Sequence, residues 1–322
     1  MARVLVIGGT LFIGRALVEQ LLDRGDEVVV MHRGAETPFG KRVGEIRCDR
    51  NDVNVVKAAL DGTRFDVIYD NVYDWKRGTS AEQVAAAATA AVKGLRRYVF
   101  TSSVAVYAPG GEYDEDAELV PSNYANPYGA KKADSERALF ALFRERKFPV
   151  TTVRPAFIYG EHNPFEREAF FLDRIVAGRP VIVPDDGLST LQFVYARDVA
   201  RASTLAAESG AAVGRAYNLA TFPPITQLDF VRLLGRVAGK PVDVIPVPRE
   251  RLLKLGGGLF QPPYYFGAYL DVPPITVRSD RVQTELGFTF TSMEDGMRET
   301  FKWYARQERP KPDYSWEDKA IA

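Results

Sequence analysis

Short β-branched runs alternate with helix-patterned stretches through the first half of this 322-residue chain, and that alternation limits its fold more than any other feature. Val4–Ile7, Val28–His32, Glu45–Cys48, Val67–Asp70, Tyr98–Thr101 and Val150–Arg154 read as strands. Amphipathic or alanine-rich stretches lie between them, notably Ile13–Arg24, Ser80–Lys93 and Tyr128–Arg146. Such alternation predicts an α/β fold built on a doubly wound parallel sheet. After Arg154 the rhythm breaks. The Pro/Gly-rich passages RPAFIYGEHNPF and AGRPVIVPDDG lead into shorter helices and isolated strands, predicting a smaller C-terminal α+β lobe. Phe193–Ala207 and Ala216–Ala220 are expected to return to the main sheet. The sheet domain is therefore placed at residues 1–158, rejoined by 193–220; residues 159–192 and 221–322 form a substrate lobe and tail. The final RQERPKPDYSWEDKAIA, polar and Pro-broken, reads as a surface tail or arm. The aromatic LFQPPYYFGAYLD, residues 259–271, reads as lobe packing rather than a pocket lining.

Composition narrows the function classes. Lys+Arg and Asp+Glu both number 42, so net charge gives no whole-protein case for nucleic-acid or membrane binding. Cys48 is the single cysteine, which rules out an internal disulfide framework and fits a reducing compartment. MARVLVIGG enters a strand at once, without a signal-peptide layout, and no apolar run reaches membrane-spanning length. A cytoplasmic location is expected. His32 and His162 are the only histidines and no Cys/His cluster has metal spacing, so no metal site is expected.

Three segments carry chemistry. The strand Val4–Ile7 runs into Gly8-Gly9-Thr10-Leu11-Phe12-Ile13-Gly14 and then a helix. Such a turn brings backbone N–H groups and the helix dipole to a dinucleotide pyrophosphate. Leu11 stands where a middle glycine is usual, so the backbone approaches the phosphates differently there. The second strand ends in His32 and Arg33, not in the acid that would hold an NAD ribose diol. A guanidinium suits a 2′-phosphate, which favours NADP over NAD; a solvated surface charge is the other reading of Arg33. Asp49 can accept from an adenine amino group or cap the next turn, and Asp70-Asn71-Val72-Tyr73 can touch cofactor or substrate or finish their strand. Lastly, Tyr128 and Lys132 share one helix face at i, i+4, where an ammonium can stabilise a tyrosinate and lower its pKa.

Together these residues resemble the extended short-chain dehydrogenase/reductase superfamily, its NAD(P)-dependent epimerase/dehydratase family, over nearly the whole chain. TSSVAVY (101–107), Tyr128 with Lys132, and RPAFIYG (154–160) look like that family's serine strand, catalytic pair and nicotinamide-side loop. GRPVIVPDDG, FVYARDVA, YNLATFPPITQLDF and SDRVQTELGF follow in the family's order. The GGTLFIG turn, the HRG after the second strand, CDRND and the DYSWED tail look closer to an atypical branch that includes chloroplast stem-loop RNA-binding proteins.

The resemblance implies a Rossmann fold with Tyr128 as general acid/base, Lys132 tuning it and holding the nicotinamide ribose, and Ser103 bonding the reacting oxygen. It places Pro155 and Phe157 beside the nicotinamide and implies hydride transfer at a secondary alcohol of a sugar or sugar nucleotide, in a homodimer. Family dehydratases carry an Asp-Glu pair where this chain has Val104 and Ala105, so epimerase or reductase chemistry is expected instead. Leu191 stands where nucleotide-sugar members carry a diphosphate-gripping arginine, and Arg179, Arg197 and Arg278 are the candidate substitutes. Two alternatives stay open: an NADPH-dependent reductase of a non-nucleotide carbonyl, and a non-catalytic RNA-binding or regulatory protein.

Overall fold

The computed structural model describes residues 1–90, 93–256 and 273–322. Seven strands form one sheet: β1 (Arg3–Ile7), β2 (Glu27–His32), β3 (Gly44–Arg47), β4 (Val67–Asp70), β5 (Arg97–Thr101), β6 (Val150–Pro155) and β7 (Arg215–Leu219). They run in the order β7-β6-β5-β4-β1-β2-β3, with every neighbouring pair parallel. Side chains on a strand alternate between faces. Val4 and Val6 pack under Leu17, Val18 and Leu21 of helix α1 (Phe12–Asp23), whereas Leu5 and Ile7 face the opposite core. That second core receives α2 (Val53–Leu60), α3 (Ala81–Ala90) and α4 (Pro127–Arg146). Both faces are covered, so the sheet is doubly wound as expected. Strand order reverses between β1 and β4, which opens a crevice at the C-terminal ends of these strands.

The second half wraps short strand pairs around its own aromatic core. Val181–Pro184 pairs with Val244–Val247, and Thr190–Leu191 with Ile225–Thr226. Phe170, Phe171, Phe193 and Phe230 are buried at the centre. Of the two segments expected back in the main sheet, Ala216–Ala220 returns as β7, but Phe193–Tyr195 pairs with Phe157–Tyr159 instead. The helix Ala196–Glu208 that follows buries Ala200 and Ala207 beneath the α1 face of the sheet.

The C-terminal segment is not a free arm. The preceding helix ends at Tyr304, Pro310 and Pro312 lie in the extended stretch that follows, and the chain turns back as a short helix, Ser315–Ile321. Trp316 and Ala320 insert into the lobe core, and Glu317 meets Arg174 at 2.5 Å with both side chains buried. A polar sequence hides this docking because one tryptophan supplies most of the apolar area. The aromatic stretch 259–271 lies outside the described residues.

Candidate active site

Local sequence fixes where α4 meets the sheet. Asn126 caps it, its side-chain oxygen accepting from the Tyr128 and Gly129 amides, and Pro127 sits in the first turn. Gly129 allows backbone contact: a Cβ there would lie 2.2 Å from the Ala105 carbonyl oxygen. Ser103 opens the short turn Val104–Val106, its Oγ accepting from the Ala105 amide at 3.2 Å. The same serine hydroxyl stands near enough to the Tyr128 phenol to lower its pKa. One face of α4 thus carries Tyr128, Lys132 and Glu136 onto the sheet. Lys132 Nζ donates to the Thr101 carbonyl at 2.6 Å and lies 4.6 Å from the Phe100 ring. Glu136 accepts from Arg154 of β6 at 2.6 Å, a buried pair that pins the helix.

The electrostatics depart from expectation. Burial pushes the Tyr128 phenol up to about 12; the Ser103 hydroxyl and the charge of Arg167 pull the other way, and Tyr73 adds to the rise. Lys132 does not acidify it, because the ammonium is turned to the Thr101 carbonyl. Burial instead lowers Lys132 itself to about 8. The Tyr128 ring packs against aromatics, of which Tyr73 lay in the stretch the sequence offered to a ligand and Trp75 and Phe165 did not. Trp75 stacks on it at 4.8 Å, Tyr73 meets it edge-on at 4.7 Å, and Phe165 abuts Trp75 at 5.3 Å. The Arg167 guanidinium lies 4.8 Å from the Phe165 ring and 5.4 Å from Phe157, and its Nη1 donates to the Ile158 carbonyl.

The glycine turn fits a dinucleotide. Gly8 has φ +82°, and a Cβ at Gly14 would lie 1.9 Å from the Gly8 carbonyl oxygen, so the start of α1 sits directly on the turn. Beside it Asn71 accepts from the Thr101 hydroxyl at 2.5 Å, while its buried Nδ2 has no protein partner. Such a donor, next to backbone that admits no side chain, suits a ligand oxygen. Thr10 and Ile13 are half-buried, Leu11 is 64% exposed at the mouth, and Phe12 turns inward at φ +45°. Pro155 closes β6 and is buried; Phe157 is half-buried.

Other expected contacts are used within the protein. Asp70 is fully buried at the end of its strand; its Oδ2 accepts from Arg50 and, at 2.6 Å, from the Tyr98 hydroxyl, while its Oδ1 has no protein partner. His32 is buried against Glu45 at 3.0 Å, which removes it from the cofactor side. Asp49 takes the capping alternative, accepting from the Asn51 amide and from Arg77. Arg33 is well exposed and donates to Asp74 at 2.8 Å. Arg179 pairs with Asp318, Arg197 with Glu161 and Arg278 with Asp280, so each candidate for the missing diphosphate arginine has a carboxylate partner. A cavity of about 280 Å³ lies elsewhere, lined by Phe12, Glu161, His162, Arg197, Lys302 and Trp303. Among the described residues, no group of three His, Cys, Asp or Glu side chains could hold a metal, and no helix is long and apolar enough to cross a membrane.

The NAD dependent epimerase/dehydratase family model matches residues 4–220. The chain belongs to that family. Chloroplast stem-loop binding protein of 41 kDa b from Arabidopsis thaliana is 30% identical over 217 residues, 62% of this chain and 53% of that protein. A trifunctional UDP-glucose 4,6-dehydratase/UDP-4-keto-6-deoxy-D-glucose 3,5-epimerase/UDP-4-keto-L-rhamnose-reductase of the same plant is 28% identical over 255 residues, 76% of this chain. The chain spans 53% and 34% of the lengths of these two relatives. Among solved structures, UDP-glucose 4-epimerase from Thermotoga maritima, bound to UDP-glucose, superposes with a TM-score of 0.75. It is 20% identical and the match covers 94% of this chain and 99% of that one, a likeness that shows the shared fold.

Within this epimerase/dehydratase framework, the structure brings Ser103, Tyr128 and Lys132 to one end of the sheet and adds Tyr73, Trp75, Phe165 and Arg167 around them. Gly129 carried a readable signal, because a glycine directly after the tyrosine marks a close helix approach. Trp75 and Arg167 carried none, since their neighbours come from distant segments.

Proposed function

We propose that this family member transfers hydride at a secondary alcohol carbon of a sugar or sugar nucleotide, as an NAD(P)-dependent epimerase or reductase. The observation that supports this most is the Tyr128 phenol placed near Ser103, with Lys132 one turn on, at the crevice beside the glycine turn. A bound nicotinamide cofactor supplies the hydride acceptor and donor. Gly8, Gly14 and Asn71 are the residues to hold it, with Lys132 at the ribose.

In this reading Ser103 holds the reacting oxygen and Tyr128 takes its proton or returns it. A phenol near 12 is a better acid-side partner than base, so proton removal is assisted by positive charge close by. Arg167 acts on the phenol in that sense, whereas Lys132, turned to the Thr101 carbonyl, is left to hold the ribose. Val104 and Ala105 cannot exchange protons, which argues against dehydration. Arg33 supports NADP over NAD. The names of the relatives support a nucleotide sugar, whereas the buried Leu191 in place of an arginine counts toward a smaller substrate. The reading includes a cytoplasmic homodimer in which α3 and α4 pack against the same helices of a second copy, by analogy with the family.

Similarity to the stem-loop binding protein favours a second reading, RNA binding without redox chemistry. A retention assay at rising salt separates the two, because RNA binding without nicotinamide binding would select the second. The direct test of the enzyme is Tyr128→Phe. Turnover over a panel of nucleotide sugars and simple ketones should fall by about 10²–10⁴ while cofactor affinity holds. A phenylalanine variant that still turns over rejects the role given to the phenol.

A further inference from the structure

The turn between Gly160 and the helix Arg167–Val176 is closed on itself by one buried side chain. Asn163 Nδ2 donates to both carboxylate oxygens of Glu168, at 3.2 and 3.0 Å, and its Oδ1 accepts from the Phe165 amide at 3.0 Å. The Asn163 carbonyl also accepts from the Glu166 amide at 3.3 Å. Two residues leave this turn toward the candidate site. Phe165 abuts Trp75, which stacks on the Tyr128 ring, and Arg167 donates to the Ile158 carbonyl. Glu168 goes the other way, inward, and is only 3% exposed. The turn does not hold its shape by backbone preference. His162 and Glu166 have φ of +60° and +51°, a state that residues other than glycine keep only when their surroundings fix it. A buried carboxylate bonded to the side chain that closes the turn is such a fixture.

We propose that Glu168 is a positioning residue: through Asn163 its carboxylate fixes the turn 160–167, which sets Phe165 on Trp75 and Arg167 beside the Tyr128 phenol. The proposal rests on the role given to Tyr128 above. Its groups also predict a dependence on pH. Burial pushes the Glu168 carboxyl up to about 7, against the pull of Arg167, of the Glu168 and Gly160 amides and of Asn163. Above that pH the carboxylate accepts from Asn163 at both oxygens. Below it one oxygen carries a proton and accepts weakly, so the hold on Asn163 loosens. The other charged or titratable groups around Glu168 are Tyr159 from the strand Phe157–Tyr159 and, across a small cavity, Glu166, Tyr304 and Arg309. Arg309 pairs with Glu166 and Asp173, and Tyr304 donates to Asp173, so these groups are engaged with one another.

Glu168→Gln keeps the size of the side chain and removes its charge. Emission from Trp75, taken as the difference between a chain and the same chain carrying Trp75→Phe, reads the placement of Phe165 without substrate or cofactor. In the wild type it should titrate with a midpoint near pH 7, and in Glu168→Gln that titration should vanish. His162, whose imidazole burial holds below 6.5, is present in both chains. Asn163→Ala leaves the carboxylate but cuts the link, and should abolish the Trp75 titration as well. In Glu168→Gln kcat should fall about tenfold, as loss of a charged hydrogen bond does, with cofactor affinity unchanged. A Trp75 titration that survives in Glu168→Gln overturns the proposal, as does a lowered melting temperature with Trp75 emission and kcat unmoved. If the wild-type emission does not titrate while turnover is normal, this proposal fails and the enzymatic reading stands. If Trp75 responds as described but the wild type turns over no substrate, the positioning stands and the enzymatic reading falls.

Discussion

At the scale of single residues, Lys132 makes the clearest electrostatic statement. Its ammonium is buried and held by one carbonyl, and burial brings its pKa from 10.5 down to about 8. A base whose folded pKa lies below its unfolded value loses its proton earlier when folded. Between about pH 8 and 10.5 the unfolded chain therefore binds more protons, and this residue's contribution to stability rises with pH across that window. Below pH 8 both states are charged and the penalty is constant. Lys132→Met removes the effect, so the wild type should gain melting temperature relative to the variant from pH 8 to 10.5. Parallel profiles would contradict the buried-ammonium account. The residue types of the site were legible in the sequence because Tyr128, Lys132 and Ser103 fall in a recognisable order. Their protonation was not legible. Tyr73 and Arg167, which shift the phenol, come from other segments, and burial itself is a property of the packed whole. The protein partners of Asp70 and His32 were hidden for the same reason: sequence shows a polar group at a strand end but not which way it turns.

At the scale of elements, the site depends on how closely α4 approaches the turn after β5. Gly129→Ala places a methyl group 2.2 Å from the Ala105 carbonyl, and backbone cannot yield as a side chain does. The expected cost is about 1–3 kcal/mol in chemical denaturation. Activity should fall further than stability alone explains, because the same displacement separates Tyr128 from Ser103. A variant with unchanged stability would show that the contact is looser than drawn. Strands β1 to β6 were legible to within a residue or so at each end, since continuous β-branched runs between helical stretches leave few alternatives. Phe193–Tyr195 was not. Three apolar residues fix a strand but not its partner, and here Phe157–Tyr159 provides one before the chain reaches the main sheet. The capping of α4 by Asn126 was readable in outline, because an Asn-Pro step ahead of a helical stretch is a start signal.

At the scale of the molecule, the C-terminal lobe packs against the helix Ser315–Ile321. Arg174 and Glu317 meet across 143 residues with about 3% and 4% of their side chains exposed. Burial lowers the arginine and raises the carboxyl, so for each partner the loss of water outweighs the mutual attraction. Such a pair specifies where the final helix docks more than it adds net stability. Two consequences distinguish these contributions. Glu317→Ala leaves a buried guanidinium with its Phe170 carbonyl bond alone from this pair of elements, and should cost about 3–5 kcal/mol in urea unfolding. Replacing both partners, as Arg174→Met with Glu317→Met, removes the unpaired charge and should recover most of that loss. If the double variant is as unstable as the single one, the pair is a true source of stability and the desolvation argument is wrong. If Glu317→Ala is silent, Trp316, Ala320 and the Arg179–Asp318 pair hold the final helix without help from this buried pair.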